Sequence, residues 1–175
     1  YEPSATGIAP MASFGEGYRY HVTGLAHDPD GFPTDNQEEV RKLTEKFKNK
    51  ELRNTRDLTM VDEYCMEDAE ICIFAAGSVA RSARHAVQIL RHHGLKAGLL
   101  RPQIVWPFPK ARVEKMISQM EYILVPEMNV GQLRKEVERL SFKGRSMIRG
   151  LNILDSHLIT AEQIVEKVIR DVETA

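Results

Sequence analysis

Apolar and polar positions between Ala69 and Pro109 follow one another in blocks that predict a strand, a helix and a second strand. The nearly continuous apolar run from Ile71 to Ala76 is typical of a strand covered on both faces. The period becomes helical at Gly77-Ser78, and one helix face is apolar: Val79, Ala83, Ala86, Val87 and Leu90. The other face is polar: Arg81, Arg84, Gln88 and Arg91. Because a second apolar run follows, the region predicts a βαβ unit with parallel strands.

The same alternation continues to the end of the chain. Gly94 is expected to end the first helix, because glycine readily adopts the left-handed conformation of a helix C-terminus. A short amphipathic helix, a buried strand from Tyr122 to Val125, another helix and a weaker strand from Met147 to Leu151 follow. Thr160-Ala161-Glu162-Gln163 is a capping box that opens the last helix. The inward positions expected in these helices are Val113, Met116, Ile117 and Met120, then Leu133, Val137 and Leu140, then Ile164, Val165, Val168, Ile169 and Val172.

Four predicted strands and three or four helices indicate a three-layer α/β/α domain over residues 69–175, doubly wound around a mostly parallel sheet. Residues 36–68 are expected to form a surface helix and a connection. Thr34-Asp35-Asn36 offers N-cap residues for that helix, Glu38 follows Asp35 in a box-like arrangement, and its narrow apolar stripe is Val40, Leu43 and Phe47. Residues 1–35 are rich in glycine and proline and predict an N-terminal interdomain arm.

The charge balance of the chain limits the classes of partner that it is expected to bind. The 175 residues include 24 basic and 25 acidic side chains, for a formal net charge of -1, so no broad field attracts nucleic acid or an anionic membrane. No apolar stretch approaches the roughly 20 residues of a membrane span, and the first residues lack a signal-peptide pattern, which predicts a cytoplasmic protein. Because the chain starts with Tyr1 rather than methionine, we expect it to be a piece of a longer polypeptide.

Ligands of doubly wound folds bind beyond the carboxyl ends of the strands, which here are Gly77-Ser78, Arg101-Pro102, Glu127-Met128-Asn129 and Gly150. Gly77-Ser78 at a helix N-terminus could hold a phosphate or carboxylate on backbone N–H groups, with Arg81 one turn further on. The alternative interpretation is a strand-to-helix joint, and it is favoured because no complete phosphate-binding motif is present.

Other candidate residues give weaker signals. His21 and His27-Asp28 could serve as metal ligands, although hydrogen-bonded structural roles are more common. Neither Ser78 nor Cys65 has an identifiable base for nucleophilic chemistry. Cys65 and Cys72 are the only cysteines, and an iron–sulfur cluster normally takes four thiolates, so we expect no cluster on this chain.

Trp106 and Phe108 lie in a proline-rich segment after the second strand. Two roles are open for them. They could anchor a partner protein, because buried aromatic residues dominate interface energetics, or they could close the core of this domain.

Four stretches occur in one order: HVTGLAHDPDGFPT at residues 21–34, AAGSVARSA at 75–83, LLRPQIVWPFP at 99–109 and PEMNVGQL at 126–133. Each is weak alone, but together they resemble the C-terminal portion of the alpha subunit of 2-oxoacid:ferredoxin oxidoreductases. The resemblance covers almost the whole chain and is to 2-oxoglutarate synthase-like members, which implies 2-oxoglutarate as the expected 2-oxoacid. It implies that residues 69–175 form a transketolase C-terminal-like domain.

The resemblance implies a thiamine-diphosphate enzyme that oxidatively decarboxylates a 2-oxoacid, passes electrons through iron–sulfur clusters to ferredoxin and gives the acyl group to coenzyme A. Thiamine diphosphate and Mg²⁺ are then expected between a preceding pyrimidine-binding domain and the beta subunit, and the iron–sulfur cluster on another subunit. This segment is expected to bind no cofactor, to hold no catalytic residue and to support assembly.

Two other hypotheses compete with this one. The chain could be a free-standing module that binds a phosphorylated small molecule at Gly77-Ser78 and Arg81. It could also be an interaction protein without any oxidoreductase role.

Overall fold

The computed structural model describes residues 4–5, 7–141 and 146–174; the beginning of the predicted arm, at residues 1–3 and 6, lies outside them. The chain divides into two compact units, Tyr1–Leu58 and Thr59–Ala175. Helices and strands follow in this order: α1 (Gln37–Leu58), β1 (Val61–Tyr64), β2 (Ile71–Phe74), α2 (Val79–His92), β3 (Ala97–Pro102), α3 (Lys110–Gln119), β4 (Tyr122–Glu127), α4 (Gln132–Arg139), β5 (Met147–Asn152) and α5 (Ala161–Glu173).

The described part of the second unit is built on one five-stranded sheet with the order β1-β3-β2-β4-β5. Neighbours among β2 to β5 are parallel, whereas β1 runs antiparallel to β3, with Val61 opposite Pro102 and Tyr64 opposite Leu99. The prediction of four strands was therefore one strand short. Val-Asp-Glu-Tyr is only four residues long and carries two acidic side chains, so its strand character depends on pairing with β3 rather than on its own pattern.

Helices cover both faces of the sheet, which confirms the predicted three-layer α/β/α architecture. Helices α2 and α5 pack on one face in a core that contains Ile73, Leu99 and Leu124. Helices α3 and α4 pack on the other face with Phe74 and Leu100. The five positions expected to be buried in α2 are buried.

One predicted core position was wrong. Val172 is 39% exposed, and the last buried residue of α5 is Val168. Val172 lies in the final turn of the helix, one turn beyond the part of α5 that packs against the core, so its place in the apolar period does not bring it to the sheet.

The capping signals at helix ends are confirmed, and of the three N-cap candidates for α1 the structure uses Asn36. The Thr160 hydroxyl accepts a hydrogen bond from Gln163 N, and the Gln163 side chain accepts one from Thr160 N, which completes the capping box. Gly94 has φ +80° and follows α2, as expected for a left-handed C-terminal residue. Asn36, rather than Asp35, caps α1, because its Oδ1 accepts from the backbone N–H of Glu38 at 3.0 Å.

A polar contact ties α5 to β4. Tyr122 Oη donates to Asp171 Oδ2 at 2.8 Å, and Lys167 Nζ donates to Asp171 Oδ1 at 2.7 Å. Burial disfavours the charged form of Asp171, but the two hydrogen bonds and the nearby positive charges outweigh it, so the pKa of Asp171 is lowered. Burial, followed by the bond to Asp171, raises the pKa of Tyr122.

The first unit contains the arm residues and α1. Val40 and Leu43 of the predicted apolar stripe are half-buried, whereas Phe47 is exposed, and no residue of α1 is fully buried. His27 forms an isolated antiparallel bridge with Pro33 within the arm. Across the described residues, no helix combines the length and apolar character that a membrane crossing requires.

Candidate functional site

The polar face of α2 lies against the edge strand β1. The guanidinium of Arg84 sits 4.2 Å from the centre of the Tyr64 ring, and Gln88 Nε2 donates to Tyr64 Oη at 3.3 Å. One turn later, Arg91 Nη2 donates to the carbonyl of Cys65 at 2.8 Å. These contacts explain why one face of a helix that also packs on the core is rich in arginine and glutamine.

A cleft of about 850 Å³ lies between the N-terminal half of α2 and strands β1 and β3. Gly77, Ser78, Arg81 and Arg84 line it from the helix side, and Arg101 lines it from β3. The structure thus brings together two of the positions predicted at the carboxyl ends of strands, Gly77-Ser78 and Arg101. Pro102, the neighbour of Arg101, is buried.

The acidic residues of this cleft are already paired. Asp62 accepts hydrogen bonds from Gln103 Nε2 and, at 3.4 Å, from Arg101 Nη1. Glu63 forms an ion pair with Arg112. By contrast, the guanidinium of Arg81 has no hydrogen bond or ion pair with any residue that the structure describes. The cleft therefore carries positive charge that its own side chains do not neutralise.

A second group of predicted ligand positions has a structural role instead. Glu127, at the end of β4, is only 3% exposed, and its carboxylate accepts from the backbone N–H groups of Leu133 at 2.7 Å and Arg134 at 3.0 Å. Asn129 Oδ1 accepts from Gly131 N at 2.8 Å. These two side chains satisfy the free N–H groups at the start of α4.

Gly150 lies beside this cap. A Cβ at Gly150 would meet Asn152 Oδ1 at 2.8 Å and Arg134 Cδ at 3.0 Å, so these two side chains pack closely on the glycine. Asn152 Nδ2 in turn donates to the carbonyl of Asn129 at 2.8 Å. The loops after β4 and β5 are therefore held together by contacts within the domain.

The candidate metal ligands of the arm also bond to their neighbours. The His21 ring stacks on Phe32 with centroids 5.4 Å apart, and His27 Nδ1 lies 2.9 Å from the Asp28 carbonyl. Asp28 Oδ1 accepts from Phe32 N at 3.0 Å. Over residues 4–5, 7–141 and 146–174, no group of three or more His, Cys, Asp or Glu side chains is arranged to hold a metal ion.

The two cysteines do not fit an iron–sulfur cluster. Cys72 is fully buried, its Sγ lies 3.3 Å from Met116 Sδ, and burial raises the pKa of its thiol to about 12. Cys65 is half-buried and makes no disulfide. The oxygen atoms of Glu127 and Asn129, which are of the kind that can bind Mg²⁺, are occupied by the cap of α4. The two cysteines thus do not fit a cluster, and the oxygens of Glu127 and Asn129 are not free to hold Mg²⁺.

Trp106 and Phe108 have different environments. The Phe108 ring meets Phe74 edge-on with centroids 6.1 Å apart, so Phe108 packs against the core. Trp106 is 71% exposed. Closing the core is therefore the role of Phe108 alone, and Trp106 is left on the surface at the carboxyl end of β3.

Sequence reasoning missed Asp62 and Tyr64, which form the wall of the cleft opposite α2. The signal available was weak: Val61 and Tyr64 are good strand formers, but the acidic residues between them hide any alternation. Arg84 was recognised only as part of a polar helix face, because its stack on Tyr64 depends on β1.

Comparison with known proteins agrees with this architecture. Residues 69–164 match the family model described as pyruvate:ferredoxin oxidoreductase core domain II. The 2-oxoglutarate synthase subunit KorA of Methanothermobacter thermautotrophicus is 34% identical over 165 residues, which cover 94% of this chain and 44% of the relative. The chain therefore spans less than half the length of that curated relative.

Solved structures give the same picture. A 2-oxoglutarate:ferredoxin oxidoreductase from Magnetococcus marinus, with 2-oxoglutarate, coenzyme A and succinyl-CoA bound, aligns with a TM-score of 0.71 and 27% identity, covering 98% of this chain and 30% of that one. A split gene transketolase aligns with a TM-score of 0.54 and 16% identity over 65% of this chain and 41% of that one, which shows a shared fold. None of these matches supports a free-standing phosphate-binding module.

Proposed function

Because this chain belongs to the pyruvate:ferredoxin oxidoreductase core domain II family, we propose that it is part of the alpha subunit of a 2-oxoacid:ferredoxin oxidoreductase. In the proposed reaction a 2-oxoacid anion and coenzyme A give acyl-CoA, carbon dioxide, one proton and two electrons, and ferredoxin accepts the electrons. We propose 2-oxoglutarate as the substrate, because the relatives named above act on it by name. The enzyme is proposed to work in the cytoplasm.

One observation carries the proposal: the alignment with the Magnetococcus marinus enzyme covers 98% of this chain. The family model covers most of the second unit as well. Because the similarity extends through the arm as well as the α/β domain, it supports the proposal that the chain is a segment of such a subunit. A fold shared with proteins of unrelated function would explain similarity in the α/β domain alone.

Within that enzyme we propose a supporting role for this segment. Residues 1–35 would act as the interdomain arm, 36–68 as surface helix and connection, and 69–175 as the transketolase C-terminal-like domain. Thiamine diphosphate and Mg²⁺ would lie between a preceding pyrimidine-binding domain and the beta subunit, and the iron–sulfur cluster on another subunit. The buried thiol of Cys72 and the occupied oxygens of Glu127 and Asn129 support this division.

We propose that Trp106 contacts the beta subunit. A tryptophan side chain can bury roughly 150–250 Å² in an interface, and Trp106 leaves most of that surface exposed. Phe108 already packs against the core and Trp106 is exposed, so we expect that the isolated domain does not need the indole for stability.

The activity is tested with the full-length alpha subunit co-purified with its beta subunit. We expect reduction of ferredoxin that requires both coenzyme A and 2-oxoglutarate, and slower reduction with pyruvate. Co-purification without any 2-oxoacid-dependent reduction would refute the proposed activity.

Trp106→Ala tests the contact in the same complex. We expect it to weaken association of the subunits by at least tenfold, about 1.4 kcal/mol, while the unfolding midpoint of the alpha subunit stays unchanged. Val130→Ala, which truncates another exposed apolar side chain on a loop of the same domain, is the matched control. If Trp106→Ala lowers the unfolding midpoint and leaves association intact, the indole belongs to the fold.

A further inference from the structure

We propose that the cleft between α2 and β1 binds the phosphate group of a small molecule through Arg81 and Arg84, with Arg101 beside them. This inference does not rest on the proposed enzymatic activity, because it concerns binding by residues of this chain alone. The proposed site is also different from one formed by the Gly77-Ser78 turn alone, because the arginine side chains that line the cleft provide the binding groups.

The charges in the cleft point to an anion. Both acidic residues that line it, Asp62 and Glu63, are already paired, with Gln103 and Arg101 in one case and Arg112 in the other. The guanidinium of Arg81 makes no hydrogen bond or ion pair with a described residue. The chain as a whole has a formal net charge of -1, so this local excess is not a consequence of a generally basic protein.

The geometry of Arg84 favours a planar, bidentate contact. Its guanidinium lies over the face of the Tyr64 ring, at 4.2 Å from the centroid. This contact uses no N–H donor of Arg84 in a hydrogen bond, so the donors are available to phosphate oxygens. Tyr64 is itself held by the hydrogen bond from Gln88, so Arg84 is positioned before a ligand arrives.

Arg101 adds a third donor set from β3. Its contact with Asp62 is long, at 3.4 Å, and involves only Nη1, so its other N–H groups can turn to a ligand. The side chain of Ser78 makes no capping hydrogen bond and the first turn of α2 has no acidic residue, so the helix N-terminus adds favourable potential to the arginines.

The size of the cleft indicates more than a lone ion. Its volume of about 850 Å³ falls in the range of roughly 300–1,000 Å³ that is typical of small-molecule sites. The class of ligand we infer is therefore a phosphate ester or diphosphate of a small organic molecule, with the phosphate on the arginines.

The test is isothermal titration calorimetry of the 175-residue chain with pyrophosphate at constant ionic strength. We expect saturable binding, and we expect Arg81→Gln to weaken it at least tenfold, because a charge-assisted hydrogen bond is lost. Arg81 makes no hydrogen bond or ion pair with the described residues, so this variant is expected to keep the unfolding midpoint of the wild type. Arg84→Gln should weaken binding similarly, and Arg81→Lys should restore part of the affinity.

Two controls test whether binding is specific to the cleft and to phosphate. Arg170→Gln removes an exposed arginine from α5, far along the chain and outside the cleft, and should change the affinity less than twofold. Succinate, a dicarboxylate, should bind more weakly than pyrophosphate.

Three results would overturn the inference: no saturable binding of pyrophosphate up to about 10 mM, an equal loss in Arg170→Gln, or equal affinity for succinate. The first would favour an acidic protein segment as the occupant, the second diffuse attraction and the third a carboxylate. Because all of these measurements concern binding, a failure here leaves the proposed oxidoreductase activity untouched.

Discussion

Replacing Glu127 by glutamine is expected to destabilise the domain strongly without changing its shape. The carboxylate is almost fully buried and accepts from two backbone N–H groups, those of Leu133 and Arg134, at 2.7 and 3.0 Å. Glutamine keeps one acceptor oxygen, but its amide group turns a donor towards the second N–H. One charge-assisted hydrogen bond is lost, at about 1.5–3 kcal/mol, and one buried N–H loses its partner.

The charge itself also contributes. A carboxylate at a helix N-terminus is stabilising by roughly 0.3–1 kcal/mol, and more when it is buried. The two effects together predict a loss of about 2–4 kcal/mol for Glu127→Gln. That is a large fraction of the roughly 5–15 kcal/mol by which domains are usually stable, and it corresponds to a fall of about 10 °C in Tm.

The assay is equilibrium unfolding in urea followed by circular dichroism, with Glu138→Gln as the matched control. Glu138 lies on the same helix, is exposed and makes only a 3.5 Å contact with Arg134, so its replacement should change stability by less than about 0.5 kcal/mol. If Glu127→Gln is as stable as Glu138→Gln, the cap described for α4 is wrong.

Three further outcomes are expected. The pKa of Asp171 is lowered in the folded protein, so the stability that this carboxylate contributes is complete above its ordinary pKa and is lost as the pH falls through the folded-state pKa. Asp171→Asn should therefore remove that part of the acid unfolding profile, measured as Tm against pH. Gly98→Ala should lower the free energy of unfolding, measured in urea, by about 2–4 kcal/mol, because the added Cβ would lie 2.7 Å from the Cys65 carbonyl oxygen. A maleimide should modify Cys65 alone in the native chain, as counted by mass spectrometry, because Cys72 is fully buried with a raised thiol pKa.

Each of these has a control or a contradicting result. An unchanged acid limb in Asp171→Asn would mean that the contacts of Asp171 with Lys167 and Tyr122 do not persist in solution. Gly24→Ala, at a position with no atom within 4 Å of the added Cβ, should leave stability unchanged beside Gly98→Ala. Modification of Cys72 at the same rate as Cys65 would show that the central strand opens without global unfolding.

Much of the fold was predictable because it rests on local patterns with a strong physical origin. The apolar face of α2 and the apolar runs of β2, β3 and β4 follow directly from the need to bury one side of a helix and both sides of a parallel strand. The capping box at Thr160 is equally local, since it involves only residues within one turn.

The candidate site was predictable only in part. Gly77-Ser78 and Arg101 follow from the rule that ligand positions lie beyond strand ends. Glu127, Asn129 and Gly150 satisfy the same rule, yet they form a closed cap around the start of α4. Sequence position alone does not distinguish an open strand end from one whose polar groups are already bonded.

The sequence by itself determined the α/β class, the parallel core strands, the end of α2 at Gly94 and the start of α5 at Thr160, because apolar periodicity and capping act over a few residues. Only the tertiary structure decided that Val61–Tyr64 joins the sheet, that Trp106 is exposed while Phe108 packs, and that Arg84 of α2 lies over the Tyr64 ring beside the cleft. These features depend on contacts between segments that are distant in sequence, and long-range pairing leaves little trace in the local pattern of either partner.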